Sequence, residues 1–219
     1  MMNDQNRRPL AAIDSGVDNY HYQNSEFGCA HDYLMPVVTR ILDEVKAVKV
    51  FELGCGNGSV ANFLCQRNIE IIGIDYSTEG IEQANKAFPE IRLEVGSAYD
   101  DLQSKFGQFP LVLSLEVVEH LFSPRIFAMN VFNLLEPGGY AVISTPFHGY
   151  WKNLALALTG KLDGHFTALW DGGHIKFWSE KTMTELMKES GFMDIRFFRA
   201  GRVSALAKSM VVVARKPKQ

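Results

Sequence analysis

The chain has too few cysteines to staple or metallate a fold. Only Cys29, Cys55 and Cys65 occur in 219 residues. They are odd in number and lack paired metal-ligand spacing, so neither a disulfide framework nor a zinc site is expected. Free thiols fit a reducing compartment, and a cytoplasmic location is the expectation. Charge of one sign is lacking too. The 22 lysines and arginines against 25 aspartates and glutamates leave a net charge of −3, so nucleic acid is not expected as the main partner. No apolar run approaches the roughly 20 residues of a membrane span. Met1–Leu10 carries Arg7 and Arg8 without an apolar segment behind them, so neither a transmembrane helix nor a secretion signal is expected. The basic tail from Ala214 to Gln219 reads as a solvated end.

What is present describes one ordinary globular domain over residues 1–219. Hydrophobic residues make up 47% and charged residues 21%, which suffices for a full α/β core but is short for two independent domains. Residues 1–25 are rich in Asn, Asp, Gln and Ser and lack periodicity, so they read as a loosely held N-terminal arm. His31 to Lys46 reads as an amphipathic helix with Leu34, Val37, Val38, Ile41, Leu42 and Val45 on one side. Pro36 falls where a first turn tolerates proline.

From residue 48 the pattern alternates: strand 48–53, helix 58–67, strand 70–75, helix 78–88, strands 91–95 and 109–115, helix 124–135, strand 139–145. Such alternation with short connections specifies a parallel sheet covered by helices on both faces. Ser123 followed by Pro124 reads as an N-cap with proline at the first helical position, and Pro137-Gly138-Gly139 as that helix's end. Ser179 caps a further helix with Met183, Leu186 and Met187 inward, stopped by Gly191. Strands 192–198 and 208–214 follow. With no crossover helix between them, they must pair antiparallel or lie apart.

Val48 to Gly58 is a buried strand running into a turn with Gly54, Gly56 and Gly58. Nineteen residues after Gly56, the next strand ends in Asp75. A turn without side chains lets backbone amides approach a ligand, and an acid at the end of the next strand accepts hydrogen bonds from a ribose. The pair points to a nucleoside cofactor. A dinucleotide site uses G-x-G-x-x-G, whereas here the third glycine comes one residue early and Ser59 stands in its place. Glu52, two positions before the first glycine, suits a ligand with an ammonium and a sulfonium better than a pyrophosphate.

These residues resemble the class I S-adenosylmethionine-dependent methyltransferases, whose first motif is E-x-G-x-G-x-G. The resemblance covers about residues 45 to 215. It implies a Rossmann-like α/β fold: a seven-stranded, mostly parallel sheet with a terminal antiparallel strand and helices on both faces. It also implies S-adenosyl-L-methionine as cofactor. Glu52 would stand at its cationic end, and Gly54, Cys55 and Gly56 would pass under the methionine moiety. Asp75 would take both ribose hydroxyls and Tyr76 would flank the adenine. Ser97 and Ala98 would form the adenine-edge loop, and Leu115 would close the other side.

The acceptor side begins at Glu116-Val117-Val118-Glu119-His120, an E-x-x-E-H run at the end of a buried strand. If a helical turn starts at Glu116, the two carboxylates and the imidazole share one face. The alternative is that the charges cap the turn while His120 packs on the sheet. With Leu134–Gly139 and Ser144-Thr145-Pro146 behind it, this stretch resembles the O-methyltransferases of ubiquinone biosynthesis and, more distantly, the small-RNA 3′-terminal 2′-O-methyltransferases. In the RNA enzymes these residues and a later histidine hold a divalent cation, and that histidine lies in a run resembling His174–Trp178. The resemblance thus implies Glu116, Glu119, His120 and His174 as ligands of Mg²⁺ or a similar ion. Such a donor set also suits Mn²⁺, Fe²⁺ or Zn²⁺. Without a metal, His120 or His174 would act as catalytic base on a phenol-like hydroxyl.

Residues 146–178 hold all three tryptophans, Trp151, Trp170 and Trp178, and three of six histidines, His148, His165 and His174. They read either as an aromatic substrate cap over the carboxyl ends of the strands or as a helical insertion packed on the sheet. Pro146–Trp151 departs from the short polar motif of the ubiquinone enzymes, which tells against a quinone acceptor. His148 reads as an exposed loop histidine or a pocket wall. Tyr20, His21 and Tyr22 in the arm could fold over the cofactor or only staple the arm down. The expected function is methyl transfer to a small-molecule acceptor of apolar or aromatic character, at oxygen. N- or C-methylation and a dinucleotide-dependent oxidoreductase are the alternatives.

Overall fold

β1 (Lys49–Leu53), β2 (Glu70–Asp75), β3 (Arg92–Val95), β4 (Phe109–Leu115), β5 (Leu135–Pro146), β6 (Met193–Ala200) and β7 (Ser209–Arg215) form one sheet in the order β3-β2-β1-β4-β5-β7-β6. The computed structural model describes residues 24–28 and 30–218. Most of the N-terminal arm, with Tyr20, His21 and Tyr22, and also Cys29 lie outside them. Strands β1 to β5 run parallel. β7 is antiparallel to both β5 and β6, as two strands joined without a crossover helix require. The fold is therefore the one the sequence leads to.

Both faces of the sheet are buried, and alternation along the strands decides which residue serves which core. Phe51, Leu53, Val112, Ile143 and Val212 face α5 (Pro124–Leu134) and α8 (Glu180–Glu189) through Phe127, Val131, Leu134, Met183 and Met187. Their neighbours Val50, Leu111, Leu113, Val142 and Val211 face α1 (His31–Val45), α2 (Ser59–Cys65) and α3 (Thr78–Ala87) through Leu34, Ile41, Leu64 and Ala84. A strand sandwiched in this way must be apolar on both sides, which explains the near-continuous hydrophobic runs. Among the described residues no helix is long and apolar enough to cross a membrane.

Several local expectations shift. α4 (Leu102–Phe106) was not legible; five residues are too few to show a period, although Asp101 accepts from Ser104 N as its cap. β5 starts at Leu135, not 139. Phe109 pairs with Leu135 and Leu111 with Tyr140, so Pro137-Gly138-Gly139 is a bulge within the strand rather than a stop before it. Ser123 occupies the cap position before Pro124, but its side chain makes no capping bond. Pro36 lies in the second turn of α1, not the first. Ser179 forms a full capping box with Thr182.

The order places β1 beside β2 on one side and β4 on the other. The connections reverse there, so a crevice opens beyond the carboxyl ends of β1 and β4, the usual ligand position in such sheets. α6 (Tyr150–Leu158) and α7 (Leu162–Phe166) belong to the segment that follows β5, and neither contributes a fully buried residue.

Candidate active site

The turn after β1 is built from residues that tolerate left-handed backbone. Gly54, Gly56 and Gly58 have φ of 89°, 52° and 74°, a region costly for residues with a Cβ. At Gly54 space is also decisive, because a Cβ there would collide with Val117 Cγ2. Gly54 N and Cys55 N donate to Ile74 O at 2.8 and 2.9 Å, and Gly56 N donates to Asp75 Oδ2 at 2.8 Å. Asp75 Oδ1 accepts from Ser77 N at 2.8 Å. Each carboxylate oxygen keeps a lone pair beyond these amides. Burial raises the Asp75 pKa, and the amides of Ser77, Gly56 and Tyr76 offset part of that rise. Asn57 Nδ2 donates to Asn24 O at 2.7 Å and Glu26 O at 3.0 Å, tying residues 24–26 to the turn.

Glu52 is 2% exposed, and among the described residues its Oε2 has no hydrogen-bond partner. Burial and the nearby Asp75 push its pKa up to about 8. Such a carboxyl is costly to ionise unless a cation or donors reach it. Burial, with Glu52 and Asp75 adding, also pushes the Cys55 thiol well above its ordinary value, so Cys55 is packing material rather than a nucleophile. Further along, Ser97 N donates to Asp100 Oδ2 at 2.8 Å and Ala98 O accepts from Asn130 Nδ2 at 2.8 Å, which fixes the loop after β3. Leu115 is buried at the end of β4, whereas Tyr76 is exposed.

A pH dependence follows from Glu52. The unfolded group loses its proton near 4.5 and the folded one near 8, so between those values only the folded state holds the proton. Glu52's contribution to the stability of the ligand-free protein therefore falls as pH rises through that window and levels off above it. Glu52→Gln should remove Glu52's share of the slope. Urea unfolding at about pH 5 and about pH 8 measures it; an unchanged slope would show that Glu52 ionises normally.

Beyond the end of β4, the helical turn starts later than a shared face requires. It spans only Val118–His120, and Glu116 has φ of 55°. That backbone reversal sends the Glu116 carboxylate toward the sheet, where Oε1 accepts from Ser144 Oγ at 2.8 Å and Oε2 from Ser209 Oγ at 3.1 Å. Burial raises its pKa to about 7 despite these hydroxyls and Lys152.

Glu119, His120 and His174 come together instead, with one ligand atom from each lying within 4.8 Å of the others. Glu119 is fully buried, and among the described residues neither carboxylate oxygen has a hydrogen-bond partner. Burial first and Glu116 second push its pKa well up, and its own backbone amide and the neighbouring Thr145 hydroxyl offset only part of this. His174 is held beside it because Glu119 O accepts from Ile175 N at 2.9 Å and Lys176 N at 3.0 Å. His120 and His174 meet edge to face at 4.9 Å. His120 Nδ1 lies 2.8 Å from Gly172 O. A carbonyl only accepts, so Nδ1 carries the proton and Nε2 keeps its lone pair for a metal or a proton. Burial lowers both imidazoles, His174 to about 4, so both are neutral at pH 7.

Sequence reasoning gave no role to Lys152 or His165 and left His148 as an exposed loop histidine or a pocket wall. His148 is buried: its backbone N–H donates to Trp178 O at 2.9 Å and its ring packs against Phe177 at 5.0 Å. His165 lies 5.2 Å from it. Burial first, with the positive charge of Lys152 adding, lowers the pKa of His148, His165 and His174. The i, i+4 spacing of His148 and Lys152 was the only signal for the latter, and it was too common to read. Of the tryptophans, Trp178 is buried, while Trp151 and Trp170 are exposed.

Comparison with known proteins agrees with this architecture. A family model described as a methyltransferase domain matches residues 26–196. A "Ubiquinone biosynthesis O-methyltransferase" of Rickettsia felis is 26% identical over 154 residues, 66% of this chain and 63% of the relative, so the chain spans less than two thirds of that protein's length. Among solved structures, the methyltransferase domain of bacterial CtHen1-C superposes with a TM-score of 0.66 at 21% identity, covering 85% of this chain and 98% of that one. The magnesium protoporphyrin IX methyltransferase of Synechocystis, with bound SAH, superposes with a TM-score of 0.65 at 16% identity, covering 85% of this chain and 83% of that one.

Proposed function

The chain belongs to the methyltransferase-domain family, and from that premise we propose that it transfers a methyl group from S-adenosylmethionine to an oxygen of a small acceptor with aromatic or apolar character. The observation that carries this reading is the contact between Gly54 and Val117. With the Gly54–Gly58 turn against the residue that precedes Val118–His120, a donor on that turn would lie one packed side chain from the proton-accepting groups, which supports the reading.

When bound, S-adenosylmethionine supplies an electrophilic methyl on a sulfonium; the acceptor oxygen bonds to that carbon as the carbon–sulfur bond breaks. The protein's work is to position both partners and to remove the acceptor's proton. The unpartnered Glu52 carboxyl fits the cationic end of the cofactor, and the spare lone pairs of Asp75 fit ribose hydroxyls. The Nε2 atom of His120 and the neutral His174 can take the proton.

Glu119, His120 and His174 also fit a divalent cation, since a buried carboxylate without partners beside two neutral imidazoles is a ready donor set. Such an ion would lower the pKa of an acceptor hydroxyl. Glu116, held by two serines, stands outside that trio. That the Rickettsia felis relative is named an O-methyltransferase supports oxygen as the acceptor atom.

Calorimetry with S-adenosylhomocysteine and with NADH tests the donor. Firm binding of the first and none of the second is expected, and the opposite pattern would make the protein a dinucleotide enzyme.

A further inference from the structure

The ring of His120 is oriented by a short loop outside the sheet. Its Nδ1 donates to Gly172 O at 2.8 Å, and that carbonyl belongs to the turn between α7 and His174. The turn closes on its own tryptophan. Thr167 and Gly172, with φ of 45° and 73°, reverse the backbone on either side of Trp170. Trp170 N donates to Thr167 O at 2.9 Å, and Gly173 N donates to Trp170 O at 3.0 Å. Gly173 has no room for a side chain: a Cβ there would stand 2.9 Å from Trp170 O and 3.1 Å from Trp170 Cε3 of the indole. The same indole meets His120 edge to face at 6.0 Å and His174 at 5.5 Å. Trp170 belongs to neither hydrophobic core. Its packing therefore serves the turn and the two imidazoles rather than the fold.

We propose that Trp170 is a positioning residue: packed against Gly173 and both imidazoles, it holds the Gly172 carbonyl on His120 Nδ1 and so fixes the tautomer of His120. A neutral imidazole without such an acceptor exchanges between its Nδ1–H and Nε2–H forms. Only the first leaves Nε2 able to take a proton or bind a cation. In the second, the lone pairs of Nδ1 and Gly172 O would face each other. The consequence for turnover rests on the methyl-transfer reading, whereas the tautomer itself does not.

Long-range proton–nitrogen correlation spectra of the full chain with nitrogen-labelled histidine, taken at about pH 7.5 with a chelator present, read the tautomer directly. His120, assigned by the signal that His120→Asn loses, should carry its proton on Nδ1. His31 supplies the opposite reference, since its Nδ1 accepts from Gly28 N at 2.9 Å and its proton is on Nε2. Trp170→Ala and Gly173→Ala should each turn His120 into a mixture of tautomers while the His31 signal stays unchanged, which also reports that the variants fold. Trp170→Phe keeps an aromatic ring and should retain the Nδ1–H form. On an acceptor that the native protein turns over, Trp170→Ala should lower kcat by about 10- to 100-fold with S-adenosylhomocysteine affinity unchanged, as for loss of a group that orients a functional histidine. A native ring protonated on Nε2, or one that stays Nδ1–H in both alanine variants, would overturn the inference. So would a Phe variant as mixed as the Ala variant, or native kcat in a variant whose tautomer is mixed. The two readings fail separately. If the tautomer responds as stated and the native protein methylates no acceptor, the methyl-transfer reading falls and the positioning role stands. If methyl transfer proceeds and the tautomer is indifferent to Trp170, only the positioning role falls.

Discussion

Gly54→Ala is expected to weaken S-adenosylhomocysteine binding by at least about a hundredfold, or about 2.7 kcal/mol. Two independent costs combine. A φ of 89° strains any residue with a Cβ by about 1–3 kcal/mol, and that Cβ would meet Val117 Cγ2. Relief of the clash by displacing Val117 would move Val118–His120 as well, so the acceptor side should suffer with the donor side. Adding Val117→Ala removes the colliding methyl but leaves the φ strain. The double variant should therefore regain about tenfold of the lost affinity without reaching the native value. If Gly54→Ala binds the ligand within about twofold of the native protein, the turn is not the cofactor site.

The second large effect concerns the buried trio. Glu119→Gln and His174→Ala should each lower turnover by about 10²- to 10⁴-fold, as expected for loss of proton removal or of a cation that assists it, while S-adenosylhomocysteine affinity stays unchanged. Their combination should cost little more than either alone, because groups that act as a unit are not additive. A chelator should reproduce the loss if the trio holds a cation. Stability supplies a separate readout. The unpartnered Glu119 carboxyl is costly in the ligand-free fold, so Glu119→Gln should unfold at higher urea concentration than the native protein, even as it loses activity. Variants within about threefold of native turnover, tested on the phenol and catechol acceptors that the native protein turns over, would exclude the trio from the chemistry.

The candidate donor side could be named from the sequence because its signals are local. Glu52, the three glycines and Asp75 are fixed by strand ends, and the strands follow from apolar runs and intervening helices. The acceptor side was only half legible. Glu119, His120 and His174 could be named from the E-x-x-E-H run and the later histidine. Glu116 could not be placed, because a left-handed φ at a non-glycine residue breaks the i, i+3, i+4 geometry that the spacing implies. Lys152 and His165 escaped, and His148 stayed open between two readings, for another reason. They meet through the fold of residues 146–178, where two short helices show no strong period and the contacts that matter are tertiary. The bulge at Pro137-Gly138-Gly139 escaped because turn residues read alike whether they end a helix or interrupt a strand.

A crystal structure with S-adenosylhomocysteine bound tests the central claim most directly. The expected result has the ribose hydroxyls on Asp75, the amino-acid end beside Glu52 over the Gly54–Gly58 turn, and the sulfur facing the side that bears Glu119, His120 and His174. Ligand lodged elsewhere, or a sulfur turned away from the trio toward the sheet's other edge, would contradict it.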